Sequence, residues 1–96
     1  MKQIFETEVY SNWFDRLRDN KAKAVINARL RRIELGNFGD FKSVGEGVLE
    51  LRIQFGPGYR IYITQRDFEV VILLAGGDKS TQSKDIKMAI ELSRKI

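Results

Sequence analysis

Arg52, Arg60 and Tyr62 fall at alternating positions of two neighbouring strand-like segments, VLELRI (48–53) and YRIYITQ (59–65). Lys79 follows a third such segment, EVVILLAG (69–76), within the stretch GGDKSTQSKD. Alternate side chains of a strand point to opposite faces. Leu49, Leu51 and Ile53 therefore share one face, and Glu50 and Arg52 share the other. The next segment sets Tyr59, Ile61 and Ile63 against Arg60, Tyr62 and Thr64. Gly56-Pro57-Gly58 between them is turn chemistry, because proline fixes one φ and glycine tolerates the positive φ of a tight reversal. Two arginines and a tyrosine on one sheet surface, beside a lysine-bearing loop, suit the binding of phosphate, for which the guanidinium offers a planar fork of donors. Charged strand residues also commonly form a solvated outer face, so both readings stand at this point.

The elements that must position these groups are legible from periodicity. Lys2 to Glu6 reads as a short strand carrying Ile4 and Phe5. From Glu8 to Leu17, Val9, Tyr10, Trp13, Phe14 and Leu17 recur at helical spacing, with Thr7 placed to cap the start. Asp19-Asn20 ends that helix and can cap the next. The second helix, Lys21 to Leu35, carries Ala22, Ile26, Leu30 and Ile33 on one stripe and stops at Gly36-Asn37. Its other face holds Lys21, Lys23, Arg29, Arg31 and Arg32. Gly36 to Gly47 reads as a loop whose Phe38 and Phe41 tuck back onto the core. Three antiparallel strands follow, and Ser83 is placed to cap a last helix with Ile86, Ala89, Ile90 and Leu92 apolar. The expectation is an α+β fold in one domain over residues 1–96: a strand, two helices, a three-strand meander in a sheet of about four strands, and a C-terminal helix.

Composition removes whole classes of chemistry. The 96 residues contain no histidine and no cysteine. Ser-His-Asp and Cys-His nucleophiles, disulfides and His/Cys zinc sites are thereby excluded. Hydrophobic residues make up 43% of the chain, enough for a folded core, and Lys+Arg exceed Asp+Glu by 17 to 13. The net charge of +4 and a pI near 9.6 favour an anionic partner weakly. No apolar run approaches the roughly 18 to 20 residues that span a bilayer, and MKQIFETEVY lacks the apolar core of a signal peptide. The expectation is a cytoplasmic protein with no membrane contact, no metal and no cofactor.

Trp13 and Phe14 have the chemistry to stack on bases, but their helical spacing beside Leu17 assigns them to the core. The basic face of the second helix is either a solvated surface or a contact for RNA or ribosome phosphates. GGDKS follows a strand and precedes a helix, yet the spacing G-x-x-x-x-G-K-[ST] is absent and an antiparallel meander is the wrong setting for a nucleotide-binding parallel sheet. An NTPase is rejected.

The order of elements, together with Glu50-Leu51-Arg52, Gly58-Tyr59-Arg60-Ile61-Tyr62 and Leu73-Leu74-Ala75-Gly76-Gly77-Asp78-Lys79-Ser80, resembles the RelE/ParE superfamily of toxin-antitoxin toxins. The likeness is greatest to its HigB-related, phage-type addiction module killer branch. Each motif is short, and their order and spacing over nearly the whole chain carry the resemblance. It implies a ribosome-dependent endoribonuclease that cuts mRNA during translation. A cognate helix-turn-helix antitoxin silences it, and operator DNA is met only through that antitoxin.

RNA supplies its own nucleophile, the 2′-hydroxyl, so such an enzyme needs to align the attack, stabilise the phosphorane and move protons. On the resemblance, Arg60 at the G-Y-R position is the main phosphate clamp, Arg52 at the L-R position orients the substrate or the sheet surface, and Lys79 protonates the leaving oxygen or holds the phosphate. RelE-type toxins often place a tyrosine or histidine base near the C-terminus, and none follows Lys79 here. Tyr62 is the nearest substitute, provided that adjacent cations lower its pKa from about 10, and Glu50 is a second. Both residues also suit a structural role, paired to the arginines. Two other functions fit the same elements: a ParE-like poison of DNA gyrase, and an inactive module that only binds an antitoxin.

Overall fold

The computed structural model describes all 96 residues. Its elements, in chain order, are β1 (Gln3–Glu6), α1 (Glu8–Arg16), α2 (Asn20–Glu34), β2 (Phe41–Gly45), β3 (Val48–Ile53), β4 (Tyr59–Arg66), β5 (Val70–Gly77), a 3₁₀ turn (Lys79–Thr81) and α3 (Gln82–Lys95). The helices begin and end where side chains and glycine satisfy their unpaired backbone groups. Thr7 Oγ1 accepts from the Tyr10 amide, and Asp19 Oδ1 accepts from the amides of Lys21 and Ala22. At the end of α2, Gly36 takes a φ of +91°. The Gly36 amide donates to Ile33 O and the Asn37 amide to Arg32 O, the paired closure that a left-handed glycine permits.

The fold is α+β, as the periodicity requires, with five strands in the order β1-β5-β4-β3-β2. The β3-β4-β5 meander is antiparallel and β1 adds to β5 in parallel. The additional strand is β2, inside the segment expected to be a loop. It pairs Phe41 with Leu51 and Ser43 with Leu49, then returns through Glu46-Gly47, both at positive φ, which matches the twist of a two-residue hairpin. As a short, largely exposed edge strand between glycines it has no apolar alternation to announce it. Phe38 does pack on the core, but Phe41 stays 47% exposed against the edge of the Phe38 ring.

The sheet lies between two helical layers. On one face, Tyr10 of α1 and Ala22, Ile26 and Ile33 of α2 pack on Leu51, Ile53, Tyr59, Ile61, Ile63, Val71 and Leu73. Trp13, Phe14 and Leu17 join this layer, so the aromatic pair belongs to the core. On the other face, Ala89 of α3, with Ile86, Ile90 and Leu92 beside it, covers Val48, Tyr62, Leu74 and Ala75. A bulge where the β4-β5 register jumps from Tyr62/Ala75 to Ile63/Leu73 leaves Leu74 unpaired, and Leu74 and Ala75 both turn toward α3. Gly76 then faces Trp13 and Gly77 faces Asp85. The last helix starts one residue before Ser83, which lies exposed within its first turn. Asp78 takes the capping role by accepting from the Ser80 amide at the 3₁₀ turn.

Arg29 departs from the basic face assigned to it. It is 6% exposed and lies on the buried stripe with Ala22, Ile26 and Ile33. Its guanidinium donates to the carbonyl oxygens of Phe38 (3.1 and 2.8 Å), Arg52 (2.7 Å) and Asp40 (2.5 Å). Charge-assisted bonds of this kind are each worth roughly 1.5–3 kcal/mol. Arg29 therefore welds α2 to the segment leading into β2 and to β3, and has no donor face left for RNA.

Candidate functional site

Arg52 and Arg60 stand directly opposite each other in the β3-β4 ladder, on the sheet face away from α1 and α2. Like charges at such positions repel. Each arginine has its own counter-charge: Asp40 Oδ1 lies 3.1 Å from Arg52 Nη2, and Glu50 Oε2 lies 3.6 Å from Arg60 Nε. The Arg52 pair is solvent-exposed and adds little stability. The Arg60 pair is buried, with Arg60 9% and Glu50 1% exposed.

A groove of about 880 Å³ opens between the β3-β4 turn and the 3₁₀ turn. Arg52, Arg60 and Lys79 all line it, with Asp40 as the one acidic lining residue. Gly58 brings the three parts together. It sits at φ +80°, its carbonyl accepts from Arg60 Nη1 at 3.0 Å, and a Cβ there would lie 3.7 Å from Lys79 Cβ. Asp78 fixes the turn that carries Lys79. Hydrogen bonds from Ser80 hold its carboxyl below the usual carboxylate range, helped by the charge of Arg60 and opposed by burial. Arg29, from inside, grips the carbonyls of Asp40 and Arg52 and so braces the groove wall.

Glu50 and Tyr62 do not reach the groove in this way. Tyr62 is fully buried beneath α3 and donates its hydroxyl to Glu50 Oε2 at 3.0 Å. The same oxygen accepts from Gln82 Nε2 at 2.9 Å. A general base requires a lowered phenol pKa, and here burial, then the hydrogen bond and charge of Glu50, push Tyr62 up instead. Of the structural pairings to the arginines, Glu50 stands beside Arg60 while Tyr62 meets Glu50 instead, and the sheet face is covered at Tyr62 and Glu50 but open at Arg52. Tyr62 is accordingly corrected from candidate base to buried donor, and Glu50 from candidate base to the counter-charge behind Arg60.

The raised Tyr62 and Tyr10 phenols have a measurable consequence. A folded-state pKa above the unfolded value of about 10 gives stability that is fully present below that pH and is lost as pH rises beyond it through the raised folded-state pKa. In an absorbance titration at 295 nm these two phenols are expected to ionise only together with loss of the far-UV circular dichroism signal. Ionisation of all three tyrosines with the fold intact would contradict this.

Of the α2 cations, Lys21, Arg31 and Arg32 are exposed and Lys23 lays its Nζ over the Phe14 ring at 5.2 Å. None of them lines the groove. Sequence reasoning passed over Asp40, which pairs with Arg52 at the groove wall, Gln82, which ties α3 to Glu50 of the sheet, and the Thr81-Asp85 hydrogen bond at the start of α3. Nothing in their spacing marks Asp40 or Gln82. Arg29, by contrast, stands three residues after Ile26 and four before Ile33, so its place on the buried stripe was readable.

Fold and groove together define a small α+β protein presenting three converging cations on a sheet. Residues 12–95 match the model of the family described as phage derived protein Gp49-like (DUF891), and the chain belongs to that family. It is a family often linked to toxin-antitoxin toxins of the RelE/HigB kind. An uncharacterized protein of Haemophilus influenzae is 51% identical over 94 residues, covering 98% of this chain and 95% of that protein. No solved structure matches the chain. No helix is long and apolar enough to cross a membrane.

Proposed function

We propose that this protein is the toxin of a HigB-like type II toxin-antitoxin pair and acts as a ribosome-dependent mRNA endoribonuclease in the cytoplasm. Its partners on this reading are the ribosome, the mRNA and a helix-turn-helix antitoxin, through which alone it meets operator DNA. The observation that carries the reading is the convergence of Arg52, Arg60 and Lys79 on one groove. In the reaction, the 2′-hydroxyl oxygen bonds to the adjacent phosphorus, the bond to the 5′-oxygen breaks, and the products are a 2′,3′-cyclic phosphate and a 5′-hydroxyl. Arg60, rigidly held, meets the charge that grows on the phosphorane; Arg52 orients the strand; Lys79, exposed at the groove rim, gives a proton to the leaving oxygen. With Tyr62 and Glu50 buried and bound to one another, the 2′-hydroxyl proton passes to a non-bridging phosphate oxygen or to water as the new bond forms, and the ribosome supplies the alignment. Lys21, Lys23, Arg31 and Arg32 on α2 add salt-sensitive affinity for ribosomal RNA.

The test is cleavage of one mRNA by the purified protein, with and without translating ribosomes, the new ends being mapped. Cuts confined to the translated message support the reading, and rapid cleavage of naked mRNA overturns ribosome dependence. The burial of both candidate bases favours one other reading, a ParE-like gyrase poison that needs no nuclease residues. An early DNA-synthesis defect with translation intact would select it, and harmless expression would select an inactive antitoxin-binding module.

A further inference from the structure

Behind the groove lies a buried polar cluster that the cleavage chemistry does not use. A single oxygen, Glu50 Oε2, receives the Tyr62 hydroxyl at 3.0 Å and Gln82 Nε2 at 2.9 Å, while Arg60 Nε stands 3.6 Å away. That last separation is beyond hydrogen-bond range, and Arg60 Nε is buried without an acceptor. A carboxylate oxygen already accepting two bonds has little remaining capacity for a third. Gln82 is the first residue of α3, and its neighbour Thr81 donates to the buried Asp85 one turn on, which ties the helix start together, while the Gln82-Glu50 bond joins it to the sheet.

We propose that Gln82 is a positioning residue for Arg60: by occupying Glu50 Oε2 it keeps the carboxylate from closing onto the guanidinium and leaves Arg60 available to a phosphate in the groove. The inference rests on the reading of Arg60 as the group that holds phosphate. Removing the Gln82 donor frees a lone pair 3.6 Å from a buried N-H that lacks an acceptor. Burial makes both groups costly to leave unpaired, so Glu50 and Arg60 draw together. The clamp is then partly neutralised and turned away from the groove. Lengthwise, the start of α3 is thereby coupled to the strength of the phosphate site through two side chains.

The experiment follows the Arg60 Nε-H resonance of the full ¹⁵N-labelled chain, assigned by its loss in Arg60→Lys, during titration with inorganic phosphate. Gln82→Ala is paired with Gln82→Met, which keeps the side-chain volume without the donor. In both, the Nε-H proton is expected to move downfield as it gains Glu50 as acceptor, and phosphate affinity to fall about five-fold, the scale of losing part of a charge-assisted contact. An Nε-H resonance unmoved in the folded variants overturns the inference. A moved resonance with no response to phosphate in any protein upholds the Gln82-Glu50-Arg60 link and overturns the phosphate-holding role of Arg60.

Discussion

Arg60→Ala is expected to abolish the arrest of protein synthesis that follows induced expression. The measurement is incorporation of labelled amino acid beside labelled nucleotide after a pulse of induction in a bacterial host. Removing one preorganised donor from a developing oxyanion typically costs about 10²- to 10³-fold in rate. The effect is expected to reach that scale because Arg60 is the buried cation of the groove, bonded to the Gly58 carbonyl with the Glu50 charge beside it. Arg60→Lys keeps the charge but loses the planar fork, and should recover only a small part of the activity. Loss of Arg60 also leaves Glu50 buried without its counter-charge, a change worth roughly 3–5 kcal/mol of stability. The soluble, folded fraction must therefore be measured beside incorporation. The double variant Arg60→Ala/Glu50→Gln removes the stranded charge, and should restore folding without restoring arrest. Arrest that persists in a folded Arg60→Ala protein would remove this residue from the mechanism.

The second large effect concerns stability alone. Gly76→Ala would place a Cβ 2.2 Å from Trp13 Cε3 and 2.4 Å from Cζ3. The indole cannot withdraw cheaply, since it lies edge-on to Tyr59 at 6.2 Å and tilted against Tyr10 at 5.7 Å, within the layer under α1. Such overpacking typically costs 1–3 kcal/mol, and here a loss of about 3 kcal/mol in the urea unfolding free energy is expected because the obstacle is a ring held on several sides. Gly36→Ala is the control. Nothing lies within 4 Å of a Cβ there, and only the φ of +91° opposes the change, so about 1 kcal/mol is expected. Equal midpoints for the two variants would show that the indole and α1 give way for no more than the backbone cost at Gly36.

How far the sequence speaks depends on which physical signal each element carries. Strict alternation at Leu49, Leu51 and Ile53 against Glu50 and Arg52 placed β3 and β4 correctly, because the period of a strand decides which side chains share a face. Alternation does not say what covers each face. The Arg60-Tyr62 surface was therefore open between solvent and site, and the structure divides it: Tyr62 and Glu50 lie under α3, while Arg52 and Lys79 remain at the groove. β2 was hidden because an exposed edge strand needs no apolar pattern. Arg29 was misplaced through its residue type, although its spacing set it among Ala22, Ile26 and Ile33. Gln82 had no signal at all, since a buried acceptor from a strand 32 positions away defines its role.

The parallel pairing of β1 with β5 carries a consequence for the order of assembly. Gln3 finds its partner at Val70, and Glu6 at Leu73, so β1 has no neighbour in the sheet until β5 has been made. Contacts so distant in sequence bring their energetic return only after the long intervening loop has been closed. The α2 layer and the β2-β3 hairpin can form early from local contacts, but the two-sided sheet cannot. The 3₁₀ turn with Lys79 comes after β5 again. A chain made only as far as β4 thus holds Arg52 and Arg60 without the third cation or the covering helix, and the cationic groove is complete only once the 3₁₀ turn and α3 have followed.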